Sequence, residues 1–377
     1  PASGVKVIRI KLNGTDWLDP QTVRVNFDVT NQGANTMHLL SAGHAFFSRC
    51  RILCGSQIVE DIQSYNRVCE MFSLLQSSDT IDNDGLEGAR KWHNGGSTDF
   101  INAGKKRSFS MKLCSGLLSG QSKMLPIRYA PLEIELELVS DAELSVYTAN
   151  TDANWVISNV QLKCDVVTLD SALENSYAEH LLSGKSLPIN YGTFICQDQT
   201  VSGNNISINV SRACSRLKSV FVSMTGSGWT SASVSNNLKE FNNFWSPMLG
   251  NYDHDKEMSA QIQIGSKMIP EMPYSSSAEA FAGLLKCMGV QGSAYHGLGG
   301  IKAFEYRAYS FILGFDCEKV LQSGFSGINT RAGDLLSIKL KANNPNDFGS
   351  NEPTRVYTVL QTDNILEIRD GGTTVYD

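Results

Sequence analysis

An all-β fold built from two tandem antiparallel modules is predicted by three features of this sequence. Apolar and polar residues alternate along many short runs, helical spacing is rare, and the second half repeats the pattern of the first. Alternation with a period of two marks a strand with one face in a core and the other in water. Short strands separated by long polar loops assemble into sandwiches or barrels.

Residues 5–12 (VKVIRIKL) and 23–29 (VRVNFDV) carry an apolar group at every second position. Residues 132–138 (LEIELEL) alternate most regularly, which places Leu132, Ile134 and Leu136 in a core and Glu133, Glu135 and Glu137 in water. Residues 155–169, 206–210, 217–222, 306–315, 335–340 and 356–368 read as strands in the same way. Turn-rich stretches separate them at 77–104, 226–252, 289–300 and 342–353. Short amphipathic helices are predicted over 66–76 and 278–288, and a third over 171–182. In that third segment Ser171 with Glu174 forms a capping box. Leu173, Tyr177 and Leu181 then recur at helical spacing, and Ser183-Gly184 followed by Pro188 ends the helix. Its position near the midpoint reads as a linker, giving an N-terminal module at 1–170, a helical linker at 171–188 and a C-terminal module at 189–377.

The modules look like copies. Residues 51–76 (RILCGSQIVEDIQSYNRVCEMFSLLQ) align without gaps on 261–286 (QIQIGSKMIPEMPYSSSAEAFAGLLK). Ile52, Gly55, Ser56, Leu74 and Leu75 match Ile262, Gly265, Ser266, Leu284 and Leu285, while Ile58, Val59, Asp61 and Ile62 meet Met268, Ile269, Glu271 and Met272. Arg107, Phe109, Ser110, Met111 and Leu113 meet Arg307, Tyr309, Ser310, Phe311 and Leu313. Leu132, Ile134 and Leu136 meet Leu336, Ile338 and Leu340, and Val156, Ser158, Val160 and Gln161 meet Val356, Thr358, Leu360 and Gln361. The common order of these matches indicates duplication. The shared Gly-Ser between two apolar runs reads as a tight hairpin with glycine at positive φ. Each module then holds about eight antiparallel strands, the jelly-roll number, so the predicted fold is two tandem eight-stranded jelly rolls with a few short helices.

Composition narrows the function. The 377 residues carry a net charge of −6, and 19% are charged, against about 25% in a typical soluble domain. Sequence-independent nucleic-acid binding needs a basic face, and the densest basic run is Lys105-Lys106-Arg107. No apolar run reaches the roughly 18–20 residues of a membrane span. Residues 1–11 lack the apolar core of a secretory signal. Nine cysteines, Cys50, Cys54, Cys69, Cys114, Cys164, Cys196, Cys214, Cys287 and Cys317, are an odd set spread over both halves. Buried thiols in a reducing compartment are the preferred reading. Sequons at Asn13, Asn205 and Asn209 are short enough to arise by chance in so polar a chain.

Catalytic patterns fail on spacing or context. Gly184-Lys185-Ser186 has Glu179 where a phosphate loop needs glycine, and it ends a helix rather than beginning one. Gly292, Gly297, Gly299 and Gly300 fit no dinucleotide fingerprint. His38, His44, His93, His180, His254 and His296 are scattered, and Asp253-His254-Asp255 reads as a solvated loop rather than a ligand set. Asp79, Asp82 and Asp84 before Gly85 miss the calcium-loop spacing and lack its terminal Glu. Cys50 or Cys54 could be paired with His44, yet both sit in a strand pattern that favours burial. No Gly-x-Ser-x-Gly elbow occurs. The expectation is no catalytic, cofactor-binding or metal-binding residue.

With the duplicated module, the midpoint helix, LLSGKSLPINYG after it, the stretch ISINVSRACSRLKSVFVSM and the ending NILEIRDGGTTVY, the chain resembles double jelly-roll major capsid proteins of tailless icosahedral double-stranded DNA viruses, in the compact form of virophages and Polinton-like viruses. That resemblance implies a homotrimer of pseudo-hexameric outline tiling an icosahedral shell. The implied partners are itself, neighbouring capsomers, and penton and minor capsid proteins, with no specific nucleic acid and no cofactor. It also implies a place in the virion after assembly in the host cytoplasm or nucleus, and outward loops at 77–104 and 226–252. The alternative is a two-domain β-sandwich enzyme or glycan-binding protein of the tandem jelly-roll amidase or lectin type, with Trp229, Trp245 and Tyr252 as a sugar platform. A third reading is a single-jelly-roll capsid protein with a different second domain.

Overall fold

The alternating runs fold as strands because each can bury its apolar face only against another sheet, and the chain does this twice. The structure, a computed structural model, describes residues 6–39, 42–76, 100–140, 145–148, 154–226, 244, 246–247, 258–289, 301, 306, 310–318, 326–331, 335–342 and 352–377.

In the first module, β1 (Val7–Leu12), β2 (Arg24–Asn31), β3 (Phe47–Cys54) and β4 (Gln57–Gln63) precede helix α1 (Tyr65–Leu74). β5 (Lys106–Lys112), β6 (Leu132–Leu138) and β7 (Trp155–Lys163) follow it. One sheet has the order β1-β6-β3-β4 and the facing sheet β7-β2-β5, all antiparallel. Two short ladders, around Trp17–Leu18 and Met37–Leu39, close the ends. Helix α2 (Ser171–Leu182) leads into the second module: β8 (Leu187–Thr200), β9 (Asn205–Val210), β10 (Leu217–Gly226), β11 (Met258–Ile264), β12 (Lys267–Tyr274) and helix α3 (Ser277–Cys287). β13 (Leu313–Asp316), β14 (Leu336–Ala342), β15 (Pro353–Arg369) and β16 (Gly372–Tyr376) complete it. Its sheets run β9-β14-β11-β12 and β8-β15-β10-β13, with β16 paired to the end of β15.

The two strand orders coincide. Ile134 stands between Ile10 and Ile52, and Ile338 stands between Ile208 and Ile262. Gly55 and Gly265 turn the equivalent hairpins at φ 55° and 59°, a conformation in which a Cβ is strained. Among the described residues, β8 alone of the main second-module strands has no counterpart in the first. Each core is aromatic where its sheets face one another. Phe27 stacks on Phe109 at 5.1 Å and meets Phe47 edge-on at 5.5 Å; in the second module Tyr274 stacks on Phe315 at 5.4 Å. Full burial of each such ring contributes about 1.5–3 kcal/mol.

The structure corrects several expectations. Ser171 does not cap α2: Asp170 does, its carboxylate accepting the Ser171 N–H. In the expected apolar stripe of α2, Leu173 is exposed, Tyr177 packs its ring on Trp17 at 4.6 Å, and Leu181 is buried. The capping geometry that sequence assigned to α2 belongs to α3, where Ser276 accepts the Glu279 N–H and the Glu279 carboxylate accepts the Ser275 N–H. Glu135 does not face open water: Arg9 and Arg51 clamp it from the two neighbouring strands and leave it buried. A strand over 306–315 is replaced by Leu313–Asp316, with Tyr306 helical. Of the match of 107–113 to 307–313, Arg307 and Tyr309 lie outside the described residues, and Phe311 precedes β13 whereas its expected partner Met111 lies within β5. Val156 lies on the exposed face of β7 whereas Val356 is buried, so that pairing is shifted. A bulge lengthens β12, so the partner of Ala260 is Tyr274, as Ile62 is of Cys50; Ile62 therefore answers to Tyr274 and not to Met272. β8 lies outside the expected strands, and its first two residues, Leu187 and Pro188, fall within the expected linker at 171–188.

Candidate assembly interface

Module one meets module two through β4, α1 and the turn at 113–123, which lie on β8, β15, β10 and β16. Tyr191 donates its hydroxyl to the Val59 carbonyl at 2.9 Å, and Thr373 donates to the Cys54 carbonyl at 2.6 Å. Gln121 Nε2 donates to the Asn190 carbonyl at 2.8 Å and Lys123 Nζ to that of Pro188 at 3.1 Å. Phe72 of α1 packs on Phe194 at 4.3 Å and edge-on against Phe221 at 5.7 Å, and the Arg67 guanidinium lies 5.7 Å from the Tyr357 ring centre. The backbones touch at Gly116, where a Cβ would lie 1.3 Å from the Gly192 carbonyl oxygen.

Glu60 sits in the middle of this contact, 2% exposed. Its carboxylate accepts from Ser115 Oγ, from the Gly116 N–H at 3.0 Å and from the Leu117 N–H at 3.4 Å. Burial raises its pKa, and those hydrogen bonds oppose the rise without cancelling it. It fixes the turn that presents Gly116 to module two.

The corresponding faces, β12 with α3 and the outer side of β7-β2-β5, are covered by no comparable contact within the described residues. Nearly all of α1 is buried, but only Ala280, Gly283 and Leu284 are buried on α3. Met272 is 80% exposed. The outer side of β7-β2-β5 is polar: Asp28 pairs with Lys106 at 2.7 Å, accepts from Ser108 at 2.5 Å and from Asn159 at 3.3 Å, and Ser110 donates to Asn26. Of the basic run, Lys106 is thus paired in a strand.

The sequence-derived chemical candidates are not brought together. All nine cysteines are free thiols, and burial raises Cys50 well above its usual range and Cys54 to about 12. Cys54 donates to the Ala130 carbonyl, while His44 Nε2 bonds the Lys112 carbonyl and its ring meets Tyr65, so no Cys–His pair forms. Cys164 is half-buried between strands rather than within one. Gly184 closes the C-terminus of α2, its N–H donating to the Leu181 carbonyl. Among the described residues no three His, Cys, Asp or Glu side chains could hold a metal ion, and no helix is long and apolar enough to cross a membrane. Asp79, Asp82, Asp84, His93, Trp229, Trp245, Tyr252, Asp253, His254, Asp255, His296 and the glycines from Gly292 to Gly300 lie outside the described residues, as do nearly all of the two expected outward loops.

No family model and no curated protein matches the chain. Solved structures do. VP54 of PBCV-1, in a crystal structure fitted into a reconstruction of the virophage Sputnik, aligns with a TM-score of 0.67 at 13% identity, over 98% of this chain and 92% of that one. The Faustovirus major capsid protein gives 0.58 at 6% identity over 96% and 87%, and a chain of the Sputnik virophage structure 0.56 at 10% over 100% and 86%. The chain therefore has the double jelly-roll fold. It is the fold of these viral capsid chains, shared over nearly the whole length of both partners.

Proposed function

We propose that the chain is a structural capsid protein of a tailless icosahedral double-stranded DNA virus, with module one at 1–170, a helical linker at 171–188 and module two at 189–377. The observation that carries this reading is the match of both modules, in order and at nearly full length, to major capsid proteins. Three chains closing around one axis form six similar wedges, a block that packs hexagonally although its symmetry is threefold. The contact of β4 and α1 with the second sheet of module two then recurs between chains, with β12 and α3 of one chain against β7-β2-β5 of the next. Such ring contacts are heterologous, and each is expected to exceed roughly 2,000 Å². Penton and minor capsid proteins complete the shell, the virion is where the protein resides, and no side chain has a catalytic or cofactor-binding role.

Light scattering of purified protein tests the reading. The expected mass is three times 41.2 kDa, or an assembly of that unit, with hexagonal outlines in electron micrographs. A stable monomer at micromolar concentration overturns it and favours the enzyme or lectin alternative.

A further inference from the structure

We propose that Cys69 and Cys114 are a disulfide-forming pair, free thiols here that a small-molecule disulfide such as oxidised glutathione converts to an internal cross-link. The bond ties helix α1 to the turn at 113–123, the two parts of module one that lie against module two. The inference stands on the placement of the thiols and is independent of the capsid reading.

Three cysteines lie around the Tyr65 hydroxyl. Cys114 follows β5 by two residues, and its N–H donates to Tyr65 Oη at 2.8 Å. Cys69 stands one turn after Tyr65 on α1, so the two side chains are neighbours on one helix face. The Tyr65 hydroxyl reaches the thiols of Cys69 and Cys50, and the Cys69 and Cys114 thiols share a hydrogen bond. A disulfide sets its sulfurs about 2 Å apart, a short approach from that contact by side-chain rotation. Cys50 is held inside its sheet, with β3 paired to a strand on each side. Module two repeats the placement with its thiols turned to other partners. Cys287 ends α3 and Cys317 directly follows β13, but Cys287 bonds to Ser219 and Cys317 donates to the Phe315 carbonyl at 3.9 Å.

Accessibility orders the two steps. Cys114 is half-buried and Cys69 buried, and burial holds the Cys69 thiol well above its usual range, so Cys114 is the first nucleophile. Its thiolate attacks one sulfur of the small disulfide. That S–S bond breaks, one half leaves and takes up a proton, and a mixed disulfide remains on Cys114. Cys69 then gives its proton to solvent and attacks Cys114 Sγ, with the Tyr65 hydroxyl donating to the sulfur as charge develops. The mixed disulfide breaks and the second half leaves as a thiol. The protein loses two electrons and two protons, and the small disulfide gains both. The new bond closes the chain between 69 and 114, which restricts the unfolded state. It also joins the turn carrying Gly116 and Gln121 to the helix carrying Phe72, all of which touch module two.

The test uses the intact, folded chain. It is incubated with excess oxidised glutathione at mildly alkaline pH, the remaining thiols are alkylated, and unreduced peptides are mapped by mass spectrometry. The expected result is one linked pair, Cys69–Cys114, within a single chain and reversed by dithiothreitol. The unfolding midpoint should rise by about 5 °C or more on oxidation, and Cys114→Ala should show neither the link nor the rise. Several results overturn the proposal: no link, glutathione retained on Cys114, a link through any other cysteine or between two chains, or a link that forms only in urea. A link that leaves the midpoint unchanged would overturn the fastening of α1 to the turn. If Cys114→Ala folds poorly, the peptide map of the unaltered chain decides by itself. An oligomer mass that contradicts the capsid reading leaves these outcomes unchanged.

Discussion

Glu60 and Asp28 are buried carboxylates of module one whose titration is shifted in opposite directions. Burial raises Glu60, so the folded state holds its proton more tightly than the unfolded chain does. Its stabilising effect is complete below the unfolded pKa and is lost as pH rises through the folded one. Asp28 is lowered by its hydrogen bonds to Lys106 and Ser108, so its contribution is present above the unfolded pKa and lost as pH falls. Urea unfolding at pH 7, 5 and 3 separates them: Glu60→Gln should remove a gain in stability on acidification from pH 7 to 5, and Asp28→Asn should remove a loss on acidification from pH 5 to 3. An unchanged pH slope in Glu60→Gln would place the carboxylate outside the docking contact. At Gly116 the prediction is steric. Gly116→Ala drives a methyl into the Gly192 carbonyl and should cost about 3 kcal/mol or more, read as a lower unfolding midpoint. None of these three roles shows in the sequence, because each depends on a partner distant along the chain.

Elements were legible where one period ran unbroken. The sequence 132–138 became the central strand β6, and the Gly-Ser hairpins fell where the repeat placed them. Caps and bulges were less legible, since a one-residue shift reassigns them: Asp170 displaced Ser171, and the bulge in β12 set Tyr274 against the core and left Met272 outside. Ser276→Ala should cost α3 about 1 kcal/mol, visible in thermal unfolding, because it leaves the Glu279 N–H without its cap. Met272→Glu separates folding from assembly. The side chain is 80% exposed, so the stability of the monomeric unit should change by no more than about 0.5 kcal/mol. The mass by light scattering should nevertheless fall toward that of one chain, and an unaltered oligomer would exclude β12 from the contact between copies.

At the scale of the whole molecule, the modules dock by covering the second sheet of one with a strand and helix of the other. If the same contact closes a ring, refolding yield and apparent stability should rise with protein concentration; dilution series monitored by near-ultraviolet circular dichroism check this. The sequence by itself determined the all-β class, the duplication and the midpoint helix, because alternation and turn residues are local signals that each strand carries for itself. Only the tertiary structure decided that Glu135 is enclosed by two arginines, that Glu60 sits between modules and that β8 pairs with β15. Those outcomes depend on which strands become neighbours, and pairing partners more than a hundred residues apart are chosen by packing and hydrogen bonding across the assembled sheets, not by any pattern within a single strand.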